Sequence, residues 1–512
     1  MKLYRHKAFI PLISTCFCVI NFLFIACKHK PPIKPDSGYP PEIENIIVNR
    51  CAISGCHNQA SYSACDSLLL DTWDHMFQGD NSGAVVVAYK PEYSPLLYYL
   101  NTDSSLGPIL QPLMPYQAKT PILSKAEYQL LVDWINRGAP DKNGNIPFAS
   151  DAATRQKIYI TMVKGTTGVD LMGVIDAKSG LIMRYLEIGL YPNFPELPHC
   201  VKCSSDGSNA YVVFTRSGGI QKINTETDQL VASFDANSIS GSNNWSGAGL
   251  CIDSANTMLA ATNYQDNNSG GAITAATPAI SWQHFLYGGM TFPHAIAATR
   301  NFDTFFVTAQ GGNIVYLLSD PGVASISIVL NGGQPTNQSV PHKTPDPHDI
   351  IMLPDYSKFV VSCQNTYDVR LVDTHTWKVD SIHVGFYPQE LALSLNPASP
   401  YLFVSCQDDS NAATLPKYVG SVYVINYKTL SVVKVLNGNF SEPHGLAVDD
   451  RDGLLYVFSS NASSRIHVHG GTNSNAGWYN IYDLKTLTPL NTKTYTTQSN
   501  TYSAAVRFVS TR

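Results

Sequence analysis

Cys51, Cys56 and His57 stand within the stretch "NRCAISGCHNQ" (49–59), and two thiols beside an imidazole are a set that can do chemistry. Covalent haem attachment uses such a set. The thiolates add to the two vinyl groups and the His after the second Cys becomes an axial iron ligand, with C-x-x-C-H the usual spacing. Here four residues stand between the cysteines instead of two. The same residues also admit a Cys51–Cys56 disulfide in an oxidising compartment. They admit a zinc site as well, which would need four ligands and has Cys65 as its nearest further thiol. Cys65 itself reads as a packing or structural cysteine.

A second set is periodic. His199, His294, His348 and His444 each follow a proline, and Gln389 takes the same place after Pro388. Recurrence of this kind points to equivalent positions in a repeated fold, so the elements that carry these residues decide what they can do.

One recurring unit is a strand that ends in Asp/Asn-x-x-Ser/Thr: "GVIDAKSG" (173–180), "QKINTETD" (221–228), "RLVDTHTW" (370–377), "YVINYKTL" (423–430) and "NIYDLKTL" (480–487). An Asx side chain and a hydroxyl at this spacing suit a tight turn between antiparallel strands. Most of these turns lie about fifty residues apart, and the gap between 224 and 373 is about three times that, so two degenerate repeats lie inside it. A second unit marks inner-strand starts at Pro198, Gly247, Pro293, Pro347, Pro388, Pro443 and Tyr502. Short alternating runs between them give about four strands per repeat, the pattern of propeller blades. The chain ends on an inner strand, while 157–188 supplies three strands lacking one, so the two ends should close a single blade.

In such a ring the four histidines and Gln389 face a central channel. Two roles are open to them: bonding the backbone of a neighbouring blade, or converging on a metal or a polar substrate at the channel mouth. Ala248, Gln389 and Ser503 interrupt the ring. That favours imidazoles held more than about 6 Å apart, too far to share one ion at metal–nitrogen distances of about 2 Å. Cys200 and Cys203, three apart on a strand, should point to opposite faces and not form a redox pair. Cys363 and Cys406, in equivalent "VSCQ" positions, read as buried small residues. No Ser-His-Asp or paired-carboxylate arrangement is legible.

Residues 42–148 lack the repeat and read as a small helical domain. "PEIENIIVN" predicts a helix leading into Cys51. "SKAEYQLLVDWINRG" (124–138) predicts a longer one, with Ser124 and Glu127 as a capping box, an apolar face of Leu130, Leu131, Trp134 and Ile135, and Gly138 as its stop. Between them lies "LMPYQ" (113–117).

These segments carry two resemblances. "CAISGCHN", "SLLLDTWDHMFQGDNSGAVVVAYKPEYSPLLYYL", "LMP" and "LSKAEYQLLVDWINRGAPD" resemble planctomycete-type cytochrome c domains over 42–148. "VYVINYKTLSVVKVL" and "VGFYPQELALSLNPASPYLFVSC" resemble the YVTN family of seven-bladed β-propellers over 150–512. The first implies one covalent haem c on Cys51 and Cys56, with the added residues looped outward. It also implies His57 as proximal ligand and Met114 as distal ligand, with His75 and Met76 as competitors. A six-coordinate iron with two protein ligands passes single electrons. The implied fold class is multidomain, a small all-α cytochrome c-like domain followed by an all-β propeller.

Compartment agrees with haem chemistry. Lys2, Arg5 and Lys7 precede an apolar run from Ala8 to Ala26, which reads as an export signal (1–26). "LFIAC" resembles a lipobox, implying a bacterial lipoprotein acylated at Cys27 and held at the cell envelope, periplasmic or surface-exposed. A proline-rich tether (27–41) follows. Charged residues are 14% and net charge is −5, which argues against nucleic acid as a partner. The expected function is single-electron transfer to an unidentified redox protein or small molecule, with the propeller as docking surface. The alternatives are a haem-dependent oxidoreductase with a metal or substrate site in the channel, and an adhesive propeller with an accessory haem.

Overall fold

The structure, a computed structural model, describes residues 36–512 apart from 117–122, 164–168, 240–243, 267, 320–322, 337–343, 409–418, 464–475 and 510–512. The export signal, Cys27 and most of the tether lie outside the described residues. No described helix is long and apolar enough to cross a membrane.

Seven antiparallel sheets form a seven-bladed β-propeller. Their innermost strands are Pro198–Cys203, Gly247–Ile252, Pro293–Ala298, Pro347–Met352, Phe386–Leu393, Pro443–Asp449 and Asn500–Arg507; five begin at the residue expected from the repeat, and the other two begin two residues before the expected Pro388 and Tyr502. The last of these pairs with Lys157–Val163, followed outward by Asp170–Asp176 and Ile182–Ile188, so the two ends of the repeat region do share one blade.

Burial follows the layering. Middle strands such as Asp170–Asp176 are buried throughout, because both faces are covered by neighbouring blades, whereas the outer strand Gln229–Asp235 is largely exposed. The apolar cores therefore lie between blades: Phe306, Val315 and Ile328 of one pack with Phe359, Val361 and Cys363 of the next. The expected Asx turns form locally. Asp176 accepts from Ser179, Asn224 from Thr227, Asp373 from Thr376, Asn426 from Thr429 and Asp483 from Thr486.

One feature of the inner strands was not apparent in the sequence. Every one carries a register shift two or three residues after its start, as between Pro293 and Ile296 and between Pro347 and Ile350. Such a β-bulge re-aims the side chain at the irregularity, and the ring residues sit at it.

The helical segment holds Pro41–Arg50 and Lys125–Asn136, joined by shorter helices at Trp73–Met76 and Pro95–Leu100. The Ser124–Glu127 capping box is present, and Gly138 follows with φ +94°. The buried face is Tyr128, Leu131, Trp134 and Ile135; Tyr128 takes the place expected of Leu130, which is only half-buried. Order also begins earlier than a tether running to residue 41 implies. Tyr39 is 2% exposed, edge-on to Trp134, and donates to the Thr72 carbonyl at 3.0 Å.

From Gly38 onward the chain is one compact unit. Val87 and Tyr93 of the helical segment enter a core shared with Ile158, Ile182 and Tyr479 of the propeller. The amides of Thr494 and Thr496 donate to the carbonyls of Asn81 and Ser82.

Candidate functional site

The helix Pro41–Arg50 delivers Cys51 as its C-cap. Ile53, Ser54 and Gly55 then turn outward into solvent, with the Cys56 amide donating to the Ile53 carbonyl at 3.0 Å. The His57 amide returns to the Cys51 carbonyl at 3.1 Å, so the extra residues loop out while the chain closes behind them. His57 Nδ1 lies 3.1 Å from the Leu68 carbonyl. A carbonyl only accepts, so Nδ1 carries the proton and Nε2 keeps its lone pair. Burial holds the His57 imidazole below its ordinary pKa, and the Leu68 bond partly offsets this.

Cys51 and Cys56 are free thiols. Burial, then the neighbouring Cys56, pushes the Cys51 thiol up to about 11. Cys65 is also free, with Sγ 3.9 Å from the Gly55 carbonyl.

The three candidates for a distal ligand differ in what holds them. Met76 is 1% exposed inside the apolar core and His75 is paired with Asp71 at 2.6 Å. Met114 is half-buried, anchored through its amide to the Tyr99 carbonyl at 2.8 Å.

The propeller histidines bond the backbone of neighbouring blades and also stand close to one another. His199 Nδ1 donates to Ala248 O at 3.1 Å, His294 Nδ1 to His348 O at 2.9 Å and His444 Nδ1 to Tyr502 O at 3.1 Å. Each acceptor is the ring residue of the next blade. The seventh ring position is therefore Tyr502, not Ser503, because Thr501 takes the place in the register that Pro293 and Pro347 hold in their blades.

The expectation that the imidazoles stand more than about 6 Å apart is overturned. One ligand atom from each of His199, His294 and His348 lies within 4.8 Å of the other two. Ala248 leaves room for it: with only a methyl group at its place in the ring, His199 and His294 meet edge to face at 4.8 Å between centroids, while His294 and His348 lie tilted at 4.2 Å. His444 stands further off, 5.7 Å from His348, and Gln389 turns its amide to the Tyr387 carbonyl and Gln364.

A hydroxyl layer braces the ring. Thr308 Oγ accepts from the Ala295 amide and donates to His348 O, and Ser405 Oγ likewise joins the Glu390 amide to His444 O. Thr262 and Ser362 repeat the arrangement.

Below the ring the channel opens into a cavity of about 300 Å³ whose lining includes His199, His294, Lys202, Asp349 and Glu390. The last three escaped sequence reasoning. They lie one or three residues past the proline-flanked positions, and only the bulge brings them to the channel wall. Burial pushes the Glu390 carboxyl up to about 8, reinforced by Asp349 and opposed by Lys202. Asp349 is raised by burial too, although Lys202 and the amides of Leu391 and Ile350 hold its charge.

Cys200 and Cys203 do face opposite sides, packing into different interblade cores. Cys363 and Cys406 are fully buried.

No family model matches the sequence, and no curated protein matches it. Among solved structures the chain is similar to a functionally unknown protein from Desulfotomaculum acetoxidans DSM 771, at 12% identity and TM-score 0.49, covering 69% of this chain and 99% of that one. It is also similar to Kuenenia stuttgartiensis hydrazine synthase, at 16% identity and TM-score 0.41, covering 56% of this chain and 76% of that one. Similarities this distant leave the sites to be read from their own geometry.

Proposed function

We propose that the protein is an exported, lipid-anchored c-type cytochrome that passes single electrons, its propeller serving as the docking surface for a redox partner. The observation that carries this reading is His57, whose Nδ1 proton is fixed on the Leu68 carbonyl while Nε2 stays available beside two free thiols. A second contact of this kind orients a metal-bound imidazole and raises its basicity. The looped-out residues 53–55 supply the means by which a four-residue spacing keeps Cys51 and Cys56 near His57.

The donor set fits haem c. Cys51 and Cys56 would hold it covalently, His57 would be the proximal ligand and Met114 the distal one. Bound there, haem would supply a one-electron couple. The chain's own residues hold the imidazole tautomer, keep an apolar wall of Ile46, Ile47 and Leu68 behind the motif, and connect it to the propeller through Val87 and Tyr93.

Export, acylation at Cys27 and an envelope location rest on the first 27 residues of the sequence.

The test is a haem-stained denaturing gel of protein made with the c-type maturation machinery. Stain that stays with the wild-type band, and weakens in Cys51→Ala and Cys56→Ala, supports the reading. Complete release of haem into acidified acetone from the wild type overturns it.

A further inference from the structure

We propose that His199, His294 and His348 form a three-histidine site for one divalent transition-metal ion, copper or zinc, at the mouth of the propeller channel. The proposal is independent of the haem reading.

The geometry argues for it in three steps. First, ring position alone does not demand an imidazole, since the blades with Ala248, Gln389 and Tyr502 at the same place close without one. Second, with Nδ1 of His199 and His294 committed to carbonyls, their lone pairs reside on Nε2. Among the described residues no hydrogen bond reaches these Nε2 atoms. His348 Nδ1, which makes no full hydrogen bond, is directed at the backbone of Gln389, the ring residue of the next blade, as the other Nδ1 atoms are at theirs, and that contact favours the proton on Nδ1 and the lone pair on Nε2. Three acceptor nitrogens thus gather with no donor between them, an arrangement that a cation relieves.

Third, the spacing is within reach of coordination. Nitrogens about 2 Å from one tetrahedral ion stand roughly 3.3–3.5 Å apart. The present limit of 4.8 Å closes with small ring rotations.

The environment suits the same ligand. The imidazoles are packed against one another in the channel, an arrangement that disfavours their charged form and leaves them free to act as ligands. Carbonyl-bound Nδ1 is the contact that orients imidazole ligands in metal sites. All-nitrogen donor sets suit copper and zinc over magnesium or calcium. A fourth position would open on the cavity with Lys202, Asp349 and Glu390, so the ion would keep a solvent ligand there.

The experiment uses the full-length protein, stripped with chelator and titrated separately with Zn(II) and Cu(II), with bound metal read by elemental analysis. One equivalent of either ion, together with a rise in the unfolding temperature, is expected; the arm that survives the weaker chelator identifies the ion. Copper-loaded protein should give an electron paramagnetic resonance spectrum with hyperfine structure from three equivalent-type nitrogens. His294→Ala and His348→Ala should weaken binding by about tenfold or more, while His444→Ala should retain the ion. A folded wild type that takes up neither ion at micromolar concentration overturns the proposal. So does stoichiometric binding that survives in folded His294→Ala and His348→Ala, or a copper spectrum without nitrogen hyperfine lines. The uptake and spectral readings on wild type stand even where a variant fails to fold.

Discussion

His294 Nδ1 donates to the carbonyl oxygen of His348 across 2.9 Å, and the two rings lie 4.2 Å apart between centroids. The same oxygen accepts a second bond, from Thr308 Oγ at 3.0 Å, so both of its lone pairs are used. A single carbonyl therefore ties two blades together and sets which nitrogen of His294 faces the channel.

Thr308→Val should be costly for its size. It strands the buried Ala295 amide and removes one donor from His348 O, a loss of about 1–3 kcal/mol for a buried unsatisfied group. Thermal unfolding should show a clear drop. An equal drop in Thr304→Val, at the half-buried start of the same strand, would remove the hydroxyl layer as its cause.

Asp80 makes stability depend on pH. Burial, then Asp66, pushes its carboxyl up to about 7, against the Ser82 amide and Lys493. The native state thus holds a proton that the unfolded chain releases at about pH 4, so stability is greatest below that value and falls as pH rises to about 7. Asp80→Asn keeps the acceptor for Ser82 and should flatten this decline by up to a few kcal/mol. Unfolding temperatures compared between about pH 5 and pH 8 measure it, and equal slopes in both proteins would contradict it.

Glu127 works in the opposite direction. Arg50, followed by the Ser124 amide and hydroxyl, holds its carboxyl down to about 2. Its contribution is present above the ordinary carboxylate value and disappears as pH falls toward about 2. In Glu127→Gln, amide-hydrogen exchange across Lys125–Asn136 should be faster at neutral pH and change less on acidification than in wild type. Identical profiles would show the Arg50 contact to be idle.

Met114→Ala should lower the midpoint potential of the haem-loaded protein and abolish the weak near-infrared sulfur-to-iron band of its oxidised form, because a thioether favours ferrous iron. A band absent from the wild type would hand the distal position to His75, which would first have to leave Asp71.

What could be read from the sequence was what local chemistry encodes. The Asx turns at Asp176, Asn224, Asp373, Asn426 and Asp483 depend on hydrogen bonds three residues long, and the capping box at Ser124 and Glu127 is equally local. Pro-His starts located the inner strands for the same reason. What stayed hidden depends on the bulge, which needs a partner strand to exist. It turned Lys202, Asp349 and Glu390 toward the cavity, and the pairing with Lys157–Val163 was likewise needed to place Tyr502, not Ser503, in the ring. The convergence of His199 and His294 was hidden too, since the gap left by Ala248 has a meaning only across blades. In retrospect the hydroxyl in "AATN", "VTAQ" and the two "VSCQ" runs was the legible sign of interblade bonding.

The closed first blade sets the order in which this molecule can be made. Thr161 and Ser503 meet across 342 residues of chain, and Arg507 reaches the carbonyls of Gly207, Ala152 and Ala153. Loop-closure entropy grows slowly with length, so the distance is no great thermodynamic burden. Its effect is on timing. Until the final strand leaves the ribosome, Lys157–Val163 has an unpaired edge, the kind of template that invites pairing with another chain. A chain that has not yet been extended through Asn500–Arg507 is thus an open ring with one bare strand.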